Sequence, residues 1–223
     1  MFEADSVTRL FRITRHIGAV ATGLIADARS LISRARHEAS DYAYKHAHPI
    51  PIDLLARRIA NLNQLSTQEA GMRPMGVALT LIGIDEERGG PKVSLCLYVD
   101  ISQIISNFIS ISISSQVFKC DPAGFYTGYI ATASGPKSVD LQNAFEKKLT
   151  EGTSTNLSLD TRHIGKSVDE TLELAVGTLA SVLSLEFKPA DLEIGLVSVE
   201  DPCFRVLSEV EIERLLTRMV EKE

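Results

Sequence analysis

The sequence contains no tryptophan, and aromatic residues make up only 6% of its 223 residues. A buried core must therefore be mostly aliphatic, and the 44% share of hydrophobic residues is enough to build one in a chain of this length. Cysteine is scarce as well, since Cys96, Cys120 and Cys203 are too few and too scattered for a disulfide framework. This scarcity favours a reducing compartment, so we expect the protein in the cytoplasm and nucleus.

An excess of basic charge is also lacking. The formal net charge is -6 and the isoelectric point is near 5.5, which weighs against a nucleic-acid partner because such partners favour a basic face. The most apolar stretch, residues 93–118, is interrupted by Asp100 and Asn107. Placing Asp100 in hydrocarbon would cost about 2.5–3.5 kcal/mol, so we predict no transmembrane helix and no membrane partner. Residues 1–13 carry several charges and do not resemble a signal peptide.

Motifs that bind nucleotides or metals are missing. Gly18 and Gly23 do not complete a dinucleotide fingerprint, and no phosphate-loop motif is present. His46 and His48 form the only close histidine pair and lack the further ligands that a structural zinc site needs. Cys120 is more typical of a buried strand cysteine than of a nucleophile. We therefore predict no metal, no cofactor and no catalytic residue.

Three local patterns predict specific backbone features. Asp27 lies in the first turn of a predicted helix, where a carboxylate would cap free N–H groups and complement the helix dipole. The tetrapeptide of residues 121–124, Asp-Pro-Ala-Gly, has the chemistry of a type I turn, with Asp first, Pro second and Gly fourth. Ser208 and Glu211 match a capping box at the start of a last helix.

Hydrophobic periodicity divides the rest of the chain into strands and helices. Helices come in pairs and strands in runs, an order that favours an α+β sandwich over a parallel sheet, and we treat residues 1–223 as a single domain. The predicted strands are residues 7–13, 18–23, 77–84, 117–120, 125–133 and 192–199, and the predicted helices are residues 26–45, 53–71, 138–149, 168–185 and 208–220.

Several blocks of sequence resemble one known family. Residues 22–29 (TGLIADAR), 72–77 (MRPMGV) and 119–124 (KCDPAG) resemble, in order, signatures of proteasome alpha subunits. Within the family, the chain is most similar to the alpha type called six in mammals and one in yeast. The signature residues in these blocks are Gly23, Asp27, Arg29, Arg73, Pro74, Gly76, Asp121, Pro122 and Gly124.

This resemblance implies a fold and a role. The fold would be the four-layer αββα sandwich of N-terminal-nucleophile hydrolases, and the role would be that of a non-catalytic ring subunit in ubiquitin-dependent protein degradation. The implied partners are neighbouring alpha subunits, beta-ring subunits and the C-termini of regulatory particles or activators. The resemblance also aligns Arg9 and Leu24 with an activator-docking pocket. An arginine there would offer a carboxylate a planar fork of donors.

The chain departs from the family pattern in two places. The family's N-terminal segment, with its first two strands, has no counterpart, so one sheet would expose an edge. Residues 93–116 match nothing in the family, and a retained in-frame intron would explain them. We therefore predict an insertion over 93–116. Two alternatives stay open: an active threonine-type hydrolase of the same fold, and a non-assembling product of a faulty gene model.

Overall fold

The computed structural model describes residues 8–84, 93–101, 105–112, 117–151, 168–185, 187–198 and 200–221. Ten strands, five helices and one short 3-10 turn are found in these ranges. In chain order they are β1 (Leu10–Arg12), β2 (Ile17–Gly23), α1 (Ile25–His46), α2 (Ile52–Gln68), β3 (Val77–Gly83), β4 (Val93–Ile101), β5 (Ile105–Ser112), β6 (Val117–Cys120), β7 (Tyr126–Tyr129), β8 (Ala131–Ser134), α3 (Ser138–Glu151), α4 (Val168–Leu183), the turn Pro189–Asp191, β9 (Leu192–Ser198), β10 (Arg205–Val206) and α5 (Glu209–Val220).

The strands form two five-stranded sheets whose neighbours are all antiparallel. The first sheet has the order β1-β2-β3-β6-β7 and the second the order β10-β9-β4-β5-β8. In the first sheet, β2 and β3 pair along their whole length, from Ile17 opposite Gly83 to Gly23 opposite Val77. The order of the elements predicted an α+β fold rather than a parallel sheet, and the two antiparallel sheets confirm that prediction.

Three hydrophobic clusters hold the sheets and helices together. One cluster packs α1 and α2 on one face of the first sheet, with Leu31, Leu55 and Leu79 fully buried. A second packs α3, α4 and α5 on the second sheet. The third joins side chains from both sheets, among them Val20 and Tyr98. Because the side chains of successive strand residues point to opposite faces, each sheet can bury both faces at once.

The strands β4 and β5 form a hairpin at the centre of the second sheet. Strand β4 pairs with β9 on one side and with β5 on the other, and β8 pairs with β5 alone. Leu95, Leu97 and Val99 are buried in the helix-facing cluster, whereas Cys96 and Tyr98 are buried between the sheets. The predicted insertion, residues 93–116, therefore supplies two strands of the sheet. Its residues 102–104 and 113–116 lie outside the described residues.

Most predicted helices and strands are confirmed to within a few residues, with clear exceptions. The single strand predicted over residues 125–133 is wrong, because β7 pairs with β6 in the first sheet and β8 pairs with β5 in the second. The chain changes sheets at Ile130, where periodicity cannot reveal the change of partner. The strands β4, β5 and β10 were not predicted. The hydrogen bond from the Ser208 N–H to the Glu211 carboxylate, 2.8 Å, confirms that part of the capping box.

Candidate functional site: the junction of the first sheet with α1

The junction between β2 and α1 is built around a glycine that no other residue can replace without strain. Gly23 has a φ of 122°, in the region that side chains rarely adopt. A Cβ atom there would lie 2.1 Å from the carbonyl oxygen of Gly76. The next residue closes the contact, because the N–H of Leu24 donates to the Gly76 oxygen at 2.9 Å. The start of α1 is therefore held against the start of β3.

The carboxylate of Asp27 ties this junction to the segment before β3. Its two oxygens accept from the two terminal nitrogens of Arg73 at 2.7 and 2.8 Å, a bidentate ion pair. One of them also accepts from the backbone N–H of Gly76 at 2.9 Å. These bonds, first that from Arg73 and then that from Gly76, lower the pKa of Asp27 to about 2. Asp27 is thus ionised at any physiological pH, and it anchors the 73–76 segment.

The prediction that Asp27 caps α1 is wrong. The helix begins at Ile25, its N-cap residue is Leu24, and no side chain caps it. The Asp27 carboxylate bonds with residues 46 and 49 positions further along the chain rather than with the first turn of its own helix. Asp27 is a buried link between two segments, and its negative charge near the helix N-terminus still complements the helix dipole.

Arg9 and Leu24, the predicted docking residues, lie beside each other at this junction. A terminal nitrogen of Arg9 donates to the carbonyl oxygen of Gly23 at 2.7 Å, next to Leu24 in the chain. This bond uses one of the five N–H donors of the guanidinium, and no other partner of that guanidinium is found in the described part of the chain. The side chain of Leu24 is 58% exposed. An anchored cation beside an exposed apolar side chain can accept a ligand that carries a carboxylate.

The turn of residues 121–124 confirms the predicted type I geometry. The N–H of Gly124 donates to the Asp121 oxygen at 3.0 Å, and Ala123 does not have the positive φ that a type II turn would require. Gly124 has a φ of 88°, and a Cβ atom there would lie 2.5 Å from the Cβ of Gln64 on α2. The Asn63 side chain donates to the Asp121 oxygen at 3.1 Å. The turn therefore packs directly on α2.

The junction and the turn lie at the same end of the first sheet. Gly23, the last residue of β2, pairs with Val77 at the start of β3, and Leu79 pairs with Cys120 at the end of β6. The predicted signature residues thus form two clusters at one sheet end: Gly23, Asp27, Arg73, Pro74 and Gly76 in the first, and Asp121, Pro122 and Gly124 in the second. Arg29 is exposed on α1.

Comparison with known proteins places this architecture in one family. A family model described as "Proteasome subunit" matches residues 1–99. The "Probable proteasome subunit alpha type-1" of Schizosaccharomyces pombe is 41% identical over all of this chain and 77% of its own length. This chain is a member of the proteasome alpha-subunit family.

Other relatives agree across distant organisms. The "Proteasome subunit alpha type-6" of Caenorhabditis elegans is 30% identical over 99% of this chain and 75% of its own length. The "Proteasome subunit alpha" of the archaeon Methanopyrus kandleri is 31% identical over the whole chain and 74% of its own length. The resemblance seen in the signature blocks is therefore confirmed as membership of the family.

Sequence reasoning missed an apolar surface at this sheet end. Leu65, Met72 and Phe125 each expose about half or more of their side chains, at 47%, 56% and 60%. They belong to three segments that lie at the end of the sheet where Leu24 lies: the last turn of α2, the loop before β3 and the loop just before β7. In the sequence, Met72 lies inside the block 72–77 and Phe125 directly follows the block 119–124, but the position of an apolar residue in or beside a block does not by itself distinguish surface from core.

The remaining candidate nucleophile is confirmed as a core residue of this alpha-family chain. Cys120 is fully buried and its thiol approaches the Ala56 carbonyl oxygen at 3.6 Å. Burial raises the pKa of the Cys120 thiol to about 12, so the thiolate that a nucleophile needs does not form at neutral pH. The ring of His16, a possible base for such a nucleophile, instead contacts the Pro202 carbonyl oxygen at 2.9 Å.

No group of three or more potential metal ligands is present in the described ranges.

None of the helices in the described ranges is both long enough and apolar enough to span a membrane.

Proposed function

We propose that this chain is a non-catalytic alpha-ring subunit of the proteasome core particle. The observation that carries the proposal is full-length similarity to proteins named as proteasome alpha subunits, at 41% identity for the fission yeast relative. We assign it to the alpha type called one in yeast and six in mammals, since both names occur among its relatives. It would act in ubiquitin-dependent protein degradation in the cytoplasm and nucleus, beside neighbouring alpha subunits and beta-ring subunits.

The architecture supports a finer assignment of the fold. We assign the chain to the four-layer αββα arrangement of N-terminal-nucleophile hydrolases. The three hydrophobic clusters support this assignment, because they run from α1 and α2 through both sheets to α3, α4 and α5. An active threonine-type hydrolase of the same fold is the competing function. The relatives do not favour it, because they are named as alpha subunits.

The test of this function is incorporation. A tagged copy of the chain, expressed in its own host, is run on a native gel that is then stained for peptidase activity. We expect the tag to migrate with the active core particle. A tag found only in aggregates or as a free chain would support the other alternative, a non-assembling product of a faulty gene model.

We propose that Arg9 and Leu24 form part of a docking pocket for the C-terminus of a regulatory particle or activator. Two contacts support this proposal. The bond from Arg9 to the Gly23 oxygen holds the guanidinium in place, so less side-chain freedom is lost when a carboxylate binds. The exposed Leu24 beside it offers apolar contact to the preceding residues of the ligand.

Charge and geometry can be separated at this pocket. In particles that contain the Arg9→Ala chain, binding of an activator C-terminal peptide should weaken by at least about tenfold, since bonds to charged groups contribute about 1.5–3 kcal/mol. Arg9→Lys keeps the charge and loses the planar fork, so its particles should bind the peptide with an affinity between those of the wild-type and Arg9→Ala particles. Arg214→Ala, an exposed cation on α5, is the matched control. Equal binding by all four particles would contradict the docking role without affecting the incorporation result.

We further propose that residues 93–116 are an insertion relative to the family that is built into the second sheet. The central position of β4 and β5 supports the claim that this segment is built into the second sheet. The match of the family model ends at residue 99, inside β4. A transcript survey of the source organism tests the origin. A transcript that lacks codons 93–116 would support a retained intron, and its absence from every transcript would contradict one.

A further inference from the structure

The two outer edges of the first sheet differ in how their backbone groups are satisfied. At β1, Leu10 and Arg12 turn their N–H and C=O groups away from β2, since the bond from the Ala21 N–H to the Arg9 oxygen sets the register. Two of these four outward groups have a side-chain partner of their own, and a third shares one. Thr8 accepts from the Leu10 N–H at 3.0 Å, and Arg36 donates to the Arg12 oxygen at 2.8 and 2.9 Å. The single proton of the Thr8 hydroxyl is shared between the Leu10 oxygen at 3.2 Å and the Glu193 carboxylate at 2.8 Å.

The opposite edge, β7, is open. The bond from the Asp121 N–H to the Phe125 oxygen sets the register, so Thr127 and Tyr129 exchange backbone bonds with β6. Tyr126 and Gly128 turn their N–H and C=O groups outward. In the described part of the chain none of these four groups has a partner. Among the described residues, side-chain protection of the kind found at β1 is missing here, although an exposed edge is a template for pairing with another strand.

The chemistry of the edge defines what can bind it. Two donors and two acceptors, alternating along one line, match the backbone of an extended segment and do not match a helix or a small anion. Aromatic surface lies beside them, because Phe125 is 60% exposed and Tyr126 and Tyr129 are partly exposed. An edge that paired with a second copy of itself would give a closed two-fold dimer, which does not fit a ring of different chains.

We propose that the β7 edge binds an extended backbone segment of a neighbouring proteasome subunit, which adds a strand to the first sheet. The inference rests on the proposed function for its partner, and on the free Tyr126 and Gly128 groups for its geometry. The added strand would pair with both residues and place an apolar side chain against Phe125.

Amide hydrogen exchange with single-residue resolution tests the proposal on the full-length chain, free and in the particle. The amides of Tyr126 and Gly128 should exchange rapidly in the free chain and at least tenfold more slowly after incorporation. The amides of Thr127 and Tyr129 already bond with β6 and serve as internal controls. Incorporation with unchanged exchange at Tyr126 and Gly128 would overturn the edge proposal alone. Failure to incorporate would overturn it together with the proposed function, and a concentration-dependent dimer that protects these amides would assign the edge to a second copy.

A proline variant removes one outward donor with little effect on the fold. Gly128 does not have a positive φ, and a Cβ atom there would make an ordinary contact, 3.4 Å, with the Phe118 ring. Edge positions whose N–H faces outward tolerate proline. Gly128→Pro should therefore match Gly128→Ala in the thermal midpoint of the free chain, but incorporate about 2- to 10-fold less efficiently, the effect of one hydrogen bond. Equal incorporation of the two variants would contradict the proposal.

Discussion

The two sheets of this molecule have similar size and burial but different origins in the sequence. The first sheet is built from strands that flank the family signature blocks, and each of its central strands follows a simple apolar pattern. The second sheet is centred on the hairpin of β4 and β5, in the segment 93–116 that we propose to be an insertion relative to the family. The proposed insertion is therefore not a peripheral loop in this structure, and its removal would affect the core.

The largest expected effect comes from removing this hairpin. A chain that joins Lys92 directly to Val117 lacks β4 and β5, the strands at the centre of the second sheet. Strand β8 then has no strand to pair with, and β9 keeps only the two-residue β10. We expect no cooperative thermal unfolding by circular dichroism. A deletion variant that unfolds cooperatively at or above the midpoint of the full chain would show that the hairpin is dispensable, and the comparison of the two sheets would fail.

Matched core substitutions give the next test of that comparison. Leu97 on β4 and Leu81 on β3 are both completely buried. If the hairpin is as much a part of the core as the first sheet, Leu97→Ala and Leu81→Ala should each lower the free energy of unfolding by about 2–5 kcal/mol. Leu24→Ala, at an exposed position, should change it by less than about 0.5 kcal/mol. A small effect at Leu97 with a large one at Leu81 would indicate a loosely packed second sheet.

The strands of the first sheet could be predicted from the sequence more fully than those of the second, for a physical reason. Strands β2 and β3 are apolar runs, and α1 and α2 have strong helical periodicity, so local pattern was sufficient there. The hairpin contains serines that look like surface residues, yet Ser94 and Ser110 are buried. Ser110 is satisfied by the Cys96 thiol at 2.9 Å, and Ser94 approaches the Gly83 oxygen at 3.4 Å. These side-chain partners depend on which strands lie next to each other, and a single sequence does not reveal which strands pair.

The candidate site was predictable in its residues but not in all of their roles. Gly23, Gly76 and Gly124, identified as signature residues, lie at positions where a Cβ atom would collide with backbone or side chain. Asp27 was assigned to its own helix because its partner, Arg73, is 46 residues away in the chain. Short-range rules favour local partners, whereas this carboxylate joins two distant segments.

Glycine substitutions test the first-sheet junction with intermediate effects. Gly23→Ala combines an unfavourable φ with a collision against the Gly76 oxygen, so the free energy of unfolding should fall by at least about 3 kcal/mol. Gly71 has a similar φ of 91° but open space around it, so Gly71→Ala should cost only about 1–2 kcal/mol. Chemical denaturation of both variants measures the difference. Equal losses would mean that the contact between Gly23 and Gly76 contributes nothing beyond backbone strain.

The smallest expected effect concerns the ion pair at the same junction. The pKa of Asp27 is lowered to about 2, whereas an unfolded aspartate titrates near 4. Its ionised form therefore stabilises the fold above about pH 4, and this contribution is lost as the pH falls from about 4 to about 2. Asp27→Asn should lower stability modestly at neutral pH, because Arg73 is two-thirds exposed and screened by water.

Urea unfolding of the wild type and the Asp27→Asn chain between pH 7 and pH 2 checks this prediction. The difference in the free energy of unfolding should shrink through that window. A constant difference would show that the hydrogen bond from Gly76, rather than the charge of Asp27, accounts for the effect.

Native mass spectrometry of particles purified through a tag on this chain tests the central claim most directly. Assembly into the proteasome core predicts that the 24.4 kDa chain is found in a peptidase-active particle together with other alpha and beta subunits. Recovery of the chain only as a free 24.4 kDa species, or in aggregates without peptidase activity, would contradict the assignment as a ring subunit.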